Sequence, residues 1–167
     1  MCTFAKKMKE KTFSPSELKA VAGCFPTGVI VVSIQLPNGE TLGMTASSFL
    51  SVSLSPPLVL FSVVKENRLA QHLKEEMPLG ISILSEEMEA VSNHFARITP
   101  LDDPPAFTMI EGAPILNKCH AWYATVIHKI IAAGDHYLVL CAVQALQSFP
   151  NEKPLVYYRG YTKLPFT

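Results

Sequence analysis

The sequence lacks the short motifs that mark most nucleotide-binding and metal-binding domains. It has no Gly-x-Gly-x-x-Gly run and no phosphate-loop lysine motif, so neither a Rossmann site nor an NTPase site is indicated. Its cysteines show no Cys-x-x-Cys or other metal-ligand spacing, and we expect no metal site. They are typical of the reduced, mostly buried thiols of a cytoplasmic protein. The four cysteines are Cys2, Cys24, Cys119 and Cys141.

Long apolar runs and net charge are also missing. No uninterrupted apolar stretch approaches the roughly 20 residues of a membrane-spanning helix, so no membrane association is expected. The basic N-terminus has no apolar signal core, and we expect a cytoplasmic location. Lys plus Arg and Asp plus Glu both number 14, a balance that gives no support for nucleic-acid binding. Charged residues are only 17% of the chain, which predicts that a second subunit covers part of its apolar surface.

Catalytic side chains do not stand out either. There is no pair of acids and no nucleophile–base pair, and none of the five histidines has the spacing of a zinc-binding helix. His136 differs because Gly134-Asp135 puts it at a turn between strands, where its side chain could project over a cleft. An incidental histidine in a Gly-Asp hairpin turn explains the same pattern equally well.

Most of the chain is predicted to be β structure, because β-branched and alternating apolar runs recur between turn residues. Short turns join the first strands, and only antiparallel pairing allows such connections. Six or seven strands of this kind fit a small antiparallel barrel. The predicted strands lie at 27–36, from 41 into 43–57, at 58–64, 79–84, 121–131, 137–147 and 155–160.

Three short helices and one long loop complete the prediction. The capping box Ser14-Pro15-Ser16-Glu17 begins the first helix, whose apolar stripe indicates that it lies against another surface. A weak helix is predicted at 67–76, and a stronger one at 85–96 with Ser85 as its cap. Residues 98–113 are predicted to form a loop, because they hold several prolines.

The stretch 43–57 carries six hydroxyl side chains within eleven positions. Short hydroxyls next to backbone N–H groups can bind a phosphate or the polar edge of a ring. On composition alone, a polar hairpin rim of turn-forming serines is the simpler interpretation. The residues alone therefore predict a small antiparallel barrel with a hydroxyl-lined groove.

Five motifs, in this order, resemble the flavin reductase-like family of small FMN-binding split-barrel proteins. That family includes the reductase components of two-component flavin monooxygenases. The resemblance covers nearly the whole chain and implies a mainly β, six-stranded antiparallel Greek-key split barrel. Chain length and the helix start at Ser14 predict a flexible N-terminal arm at 1–13 and a single domain at 14–167. The motifs are FPTGVIVVS (25–33), GMTASSFLSVSLSPPLVLFSV (43–63), HFA (94–96), AGDHYLVL (133–140) and YYRG (157–160).

The resemblance implies a set of flavin-binding residues. The stretch Met44, Thr45, Ala46, Ser47 and Ser48 would line the isoalloxazine edge and the ribityl chain, in agreement with the hydroxyl chemistry above.

Further residues are implied to hold the ribityl phosphate. Ser62-Val63 and the following turn would contribute, with Asn67 standing where relatives more often have Ser or Thr. Phe95-Ala96 would approach the phosphate. Arg97 stands where Gly is common, and it would be either a bidentate phosphate ligand or a surface arginine.

Three more positions are implied by the later motifs. His136 would bind or orient the reduced nicotinamide nucleotide. Tyr158 and Arg159 would pack near the flavin pocket, with Tyr157 in the core. Ser82 replaces an asparagine that is frequent in relatives, which predicts a looser internal hydrogen-bond network.

The implied function is an NAD(P)H-dependent flavin reductase that passes a hydride to FMN, or to FAD, and supplies reduced flavin to a separate monooxygenase. The implied assembly is a homodimer whose second subunit completes the flavin site. The alternative is an FMN-binding electron carrier or flavin carrier without efficient NAD(P)H turnover. The sequence does not indicate whether FMN or FAD is the flavin, or whether NADH or NADPH is the reduced nucleotide.

Overall fold

A computed structural model describes residues 13–149 and 152–162. Residues 1–12 of the predicted arm lie outside the described residues, as does the end of the predicted domain at 163–167. The helices are α1 (Pro15–Ala22) and α2 (Glu89–Phe95), and short 3-10 turns lie at Ala70–His72 and Glu86–Met88. The strands are β1 (Thr27–Gly28), β2 (Ile30–Gln35), β3 (Thr41–Ala46), β4 (Phe49–Leu54), β5 (Pro57–Val64), β6 (Pro78–Ile83), β7 (Phe107–Ile110), β8 (Ala113–Leu116), β9 (Ala121–Ala133), β10 (His136–Ser148), β11 (Val156–Tyr157) and β12 (Tyr161–Thr162).

Seven antiparallel strands form the main sheet, in the order β3-β2-β6-β9-β10-β5-β4. The two edge strands, β3 and β4, follow each other in the chain and are joined only by Ser47 and Ser48. Since such a link spans roughly 10 Å at most, the sheet has to curl until its two edges meet. The barrel is therefore closed by the chain but split between its edges. This confirms the predicted mainly β split barrel, which has six strands if β3 and β4 are counted as one bent strand.

Strand β2 lies at the centre of two hydrophobic cores. Ile30, Val32 and Ile34 face the barrel interior, whereas Val29, before the strand, and Val31 face a second cluster outside it. Both faces are covered, so the strand is almost continuously apolar rather than alternating. Its strong sequence signal is thus explained by burial on both sides.

The second core is closed by a hairpin that the sequence did not predict. Strands β7 and β8 pair within the segment expected to be a loop at 98–113, and that prediction is wrong. Glu111 and Gly112 connect them with φ angles of 48° and 74°, the conformation of a tight two-residue turn. The turn was missed because the surrounding prolines dominate the composition of this stretch.

Strand β8 crosses β6 at very close range. A Cβ on Gly80 would lie 1.9 Å from the Pro114 carbonyl oxygen, so only glycine fits at this position. The buried Ser33 hydroxyl donates to the same oxygen at 2.6 Å. The Ser82 hydroxyl accepts from the Leu116 N–H at 3.0 Å, and therefore holds β8 rather than loosening the network.

The helices differ in part from their predictions. The capping box at Ser14 and Glu17 is confirmed, and α1 begins at Pro15. The helix predicted at 67–76 is reduced to one 3-10 turn, because the chain turns back there toward the β3 edge. The helix predicted from Ser85 starts as a 3-10 turn and becomes α-helical only at Glu89, and the Ser85 side chain makes no cap hydrogen bond.

The apolar stripe of α1 is exposed rather than packed on this chain. Leu18, Val21 and Phe25 are 66%, 74% and 75% exposed, so the expectation that the helix lies against another surface is not met within one copy. None of the helices in the described part of the chain has the length and apolarity required to cross a bilayer.

Candidate functional site

The bend between β3 and β4 brings two of the predicted residues together. The Ser48 hydroxyl donates to the Ser62 carbonyl and accepts from the Ser62 N–H, both at 3.0 Å. This reciprocal pair continues the β4–β5 register by one position beyond the Phe49–Phe61 pair. The Ser48 hydroxyl therefore has a structural partner, which fixes the bend beside β5.

Because side chains alternate between the two faces of β3, the predicted flavin-lining residues differ in which side of the sheet they occupy. Met44 is buried in the barrel core, so only its backbone can reach a ligand. Thr45 faces outward and donates its hydroxyl proton to the Ser92 carbonyl at 2.7 Å. Ala46 is half-buried. Ser47 is exposed, and the structure gives its hydroxyl no partner among residues 13–149 and 152–162, which leaves it available to a ligand.

Two adjoining clefts open beside Ser47. The smaller has a volume of about 200 Å³ and the larger of about 700 Å³, and both are lined by Ser47 and Tyr157. Thr27 also lines the larger cleft, and its hydroxyl oxygen is buried without a hydrogen-bond partner within the described chain. An apolar wall with a few unpaired polar groups is the usual character of a cofactor cleft.

Tyr157 was predicted to lie in the core, and this is wrong. It is 42% exposed, and its ring packs against Tyr161 in an edge-to-face pair with centroids 5.5 Å apart. Tyr158, its predicted neighbour at the pocket, is 44% exposed and lines neither cleft. Strand alternation alone could not have revealed the error, because it does not determine which of two adjacent residues faces the core.

A separate small cavity lies at the other end of β3. It has a volume of about 60 Å³, the space of roughly two water molecules, which suits a single phosphoryl group. The sequence-predicted residues Asn67, Phe95, Ala96 and Arg97 all line it. The structure thus gathers four residues from two distant segments around one cavity, and it adds Arg68, which the sequence interpretation missed although it follows Asn67 directly.

The donors around this cavity are partly fixed. The Asn67 side-chain oxygen accepts from the Leu69 N–H at 2.9 Å, so its NH₂ group is left to donate elsewhere. Gly43 has no room for a side chain, because a Cβ there would lie 2.4 Å from the Phe95 ring. Phe95 can therefore pack against the β3 backbone beside the cavity.

Arg97 has a left-handed backbone with φ of 59°, directly after the helix cap of α2 at Ala96. Its N–H donates to the His94 carbonyl at 3.0 Å, as is usual where a helix ends in this conformation. Glycine is favoured at such positions, so an arginine here occupies a backbone conformation that is unfavourable for a residue with a Cβ.

His136 begins β10 and pairs with Val64 of β5. Its Nδ1–H donates to Asp135 Oδ1 at 2.7 Å, and this hydrogen bond lowers the pKa of the Asp135 carboxyl. Its partner Val64 lies two residues after Ser62, the β5 residue that holds the bend, so His136 is one strand across and two residues along from that bend. Val63, between Ser62 and Val64, is buried in the core and can offer a ligand only its backbone.

Lys65 holds the turn that carries His136. Its Nζ donates to the Gly134 carbonyl at 2.6 Å, and its backbone N–H donates to the Asp135 carbonyl at 3.0 Å. Sequence patterns could not have predicted this contact, because Lys65 and Gly134 are far apart in the chain.

The cysteines of the described residues separate into two classes. Cys24 is exposed and accepts a hydrogen bond from Arg159 Nη2 at 3.1 Å, which raises the pKa of that guanidinium. Burial raises the pKa of the Cys119 and Cys141 thiols to about 11 and about 12. Two of the three cysteines in the described residues are therefore buried, as the prediction of mostly buried thiols expects, and Cys24 is the exposed one, while Cys2 lies outside the described residues.

Comparisons with known proteins show which family model and which relatives the chain matches. The model of the flavin reductase like domain matches residues 22–164. A flavin reductase of Pseudomonas putida is 31% identical over 166 residues, which are 96% of this chain and 95% of that protein. The stachydrine N-demethylase reductase subunit Stc3 of Rhizobium meliloti is 39% identical over 84% of this chain. This chain spans only 62% of that subunit's length.

A solved structure has the same architecture. The NADH:FAD oxidoreductase SgcE6 of Streptomyces globisporus, in complex with NAD and FAD fragments, superposes with a TM-score of 0.82 at 33% identity. The match covers 92% of this chain and 96% of that one.

Proposed function

The chain belongs to the flavin reductase like domain family, and from this we propose that it is an NAD(P)H:flavin oxidoreductase. The observation that carries the proposal is the arrangement along β3. A phosphate-sized cavity with two arginines lies at one end, and an unpaired hydroxyl beside an aromatic cleft lies at the other. A flavin nucleotide has matching features in the same order, a phosphate at one end of its ribityl chain and a flat ring at the other.

The protein residues bind and orient the two nucleotides. Asn67 and Arg97 hold the flavin phosphate, and the Ser47 hydroxyl with the backbone from Thr45 to Ser48 donates to the polar ring edge. Bound flavin supplies the acceptor for a hydride from reduced nicotinamide. FMN is the expected flavin, with FAD also accommodated if its second phosphate extends into solvent.

His136 binds and orients the reduced nicotinamide nucleotide, NADH or NADPH. The ionised Asp135 carboxylate accepts from Nδ1–H and so leaves Nε2 as the atom that faces a ligand. Lys65 fixes the turn beneath both residues. Hydride transfer between stacked rings needs orientation more than proton transfer, which accounts for a site without an acid–base pair.

The steady-state oxidation of NADH and NADPH, each with FMN and FAD, tests the proposal. Oxidation that scales with added flavin supports a reductase. Bound flavin without such turnover would instead indicate an electron carrier or flavin carrier. The His136→Ala variant should raise KM for the reduced nucleotide roughly tenfold. His72→Ala is the matched control, and equal kinetics for both variants would contradict the role of His136.

The assembly is a homodimer formed by the outer face of the barrel. Val59, Phe61 and Val63 point into the core, so the alternate residues of β5 point outward, and β10 follows the same alternation. These outward positions are nearly all apolar, which leaves a continuous apolar sheet face for a second copy to cover. They include Leu50, Leu58, Leu60, Val64, Leu138, Leu140 and Ala142.

This face also carries His136 and Ser62, so a second copy seated there would border the nicotinamide end of the site. Leu50 is 57% exposed, and Leu50→Glu should convert a dimer to a monomer without unfolding it. Ile98→Glu, at a residue 68% exposed beyond α2, is the control. A wild-type monomer by light scattering at micromolar concentration would contradict the dimer.

The reduced flavin passes to a separate flavin-dependent monooxygenase. The support is the description of relatives as reductase components of such systems, including the Acinetobacter baylyi trigonelline monooxygenase reductase component. A cytoplasmic location fits the free thiols Cys24, Cys119 and Cys141.

A further inference from the structure

An ion pair borders the phosphate-sized cavity. Arg68 Nη2 donates to Glu40 Oε1 at 2.8 Å, and the two side chains are 49% and 41% exposed. Glu40 ends the β2–β3 turn, where its N–H donates to Asn38 Oδ1 and its carbonyl accepts from the Leu36 N–H. The carboxylate is therefore presented by an ordered backbone.

The same arginine lines the cavity together with Arg97 and Asn67. Two guanidinium groups and an amide make this a site with more donors than acceptors and with excess positive charge. Glu40 is the carboxylate that partly neutralises it in the absence of a ligand.

We propose that Arg68 is a further binding residue for the phosphate of a flavin nucleotide, and that Glu40 competes with this phosphate for Arg68. The inference rests on the proposed function. A guanidinium can bind a phosphate with two parallel hydrogen bonds. The Arg68 N–H group that donates to Glu40 would then have to be shared with the phosphate or leave Glu40. Glu40 also repels the incoming phosphate, since both groups are negative.

The consequence is weaker binding and faster release of the flavin nucleotide. Such a limit on affinity suits an enzyme whose reduced product has to leave for a second protein. Glu40 is thus a residue that sets flavin affinity without being a ligand itself.

The test is the dissociation constant of FMN at low salt, measured by flavin fluorescence, with riboflavin as the probe that has no phosphate. An exposed pair of this kind predicts that Glu40→Gln binds FMN about two- to fivefold more tightly. Arg68→Met should bind FMN roughly tenfold more weakly. Riboflavin affinity should be unchanged in both variants.

The double variant decides whether Glu40 acts through Arg68. In the Arg68→Met background, Glu40→Gln should have no further effect on FMN binding. Glu66→Gln is the matched control, because it removes the same charge from an exposed position two residues from Arg68 in the chain. It should change FMN affinity by less than Glu40→Gln.

Several results would overturn the inference. Unchanged or weaker FMN binding by Glu40→Gln would show that no competition exists. Equal tightening with and without Arg68, or by Glu66→Gln, would show a general charge effect. If wild-type protein binds riboflavin and FMN, these outcomes leave the proposed function intact. If it binds neither, the proposed function and the inference fail together.

Discussion

Replacing Arg97 by glycine is expected to stabilise the fold and to weaken flavin binding at the same time. The left-handed φ of 59° costs a residue with a Cβ about 1 to 2 kcal/mol relative to its ordinary conformations. Glycine avoids this cost, but its greater conformational entropy in the unfolded chain destabilises the folded state by about 0.4 to 1 kcal/mol. The free energy of unfolding should therefore increase by about 0.5 to 1 kcal/mol, which raises Tm by about 1 to 4 °C for a chain of this size.

The same change removes a guanidinium from the phosphate-sized cavity. A charge-assisted hydrogen bond contributes about 1.5 to 3 kcal/mol, so the dissociation constant for FMN should rise roughly 10- to 100-fold. Riboflavin, which has no phosphate, should bind as before. Thermal unfolding gives the first quantity, and fluorescence titration with the two flavins gives the second.

Lys118→Gly is the matched control. Lys118 has a φ of 62°, is exposed, and lies away from the cavity, so its replacement removes the same charge and the same strain. It should raise Tm like Arg97→Gly and leave FMN binding unchanged. A lower Tm for Arg97→Gly would refute the conformational argument, and unchanged FMN affinity would show that Arg97 only ends the helix.

Two further predictions concern the core and the turn. Gly80→Ala should destabilise the fold by roughly 3 kcal/mol or more, because its Cβ would overlap the Pro114 carbonyl. Gly28→Ala is the control, because its Cβ would meet no atom within 4 Å. Equal urea midpoints for the two variants would contradict the close approach of β8 to β6. The hydrogen bond from His136 lowers the pKa of the Asp135 carboxyl. The bond therefore stabilises the folded state at neutral pH, and this stabilisation is lost as the pH falls through the lowered pKa. Wild-type Tm should therefore exceed that of Asp135→Asn at neutral pH and converge with it in acid, and a constant difference would argue against the bond.

The barrel and the site depend on one short connection. The two-residue link at Ser47 and Ser48 brings the sheet edges together, and it exposes the unpaired Ser47 hydroxyl beside the clefts. The Ser48–Ser62 pair fixes its position. A single bend therefore closes the fold and forms the ring end of the candidate site.

Local pattern was enough to predict much of this protein. β-branched runs identified the strands of the main sheet, the capping box identified the start of α1, and the motif order identified the family. These signals depend on residues near one another in the chain, where backbone preferences and alternation act directly. The candidate residues Asn67, Phe95 and Arg97 also came from motifs alone.

Other features were decided by contacts between distant segments. A turn replaces most of the helix expected at 67–76, and this turn places Asn67 and Arg68 beside the end of α2. The hairpin at Phe107–Leu116 forms because it covers the second core. Which hydroxyls of 43–57 are free was also undetermined, since Ser92 and Ser62 are the partners that engage Thr45 and Ser48. Sequence patterns fix which face of a strand a residue occupies, but what covers that face depends on packing between segments far apart in the chain.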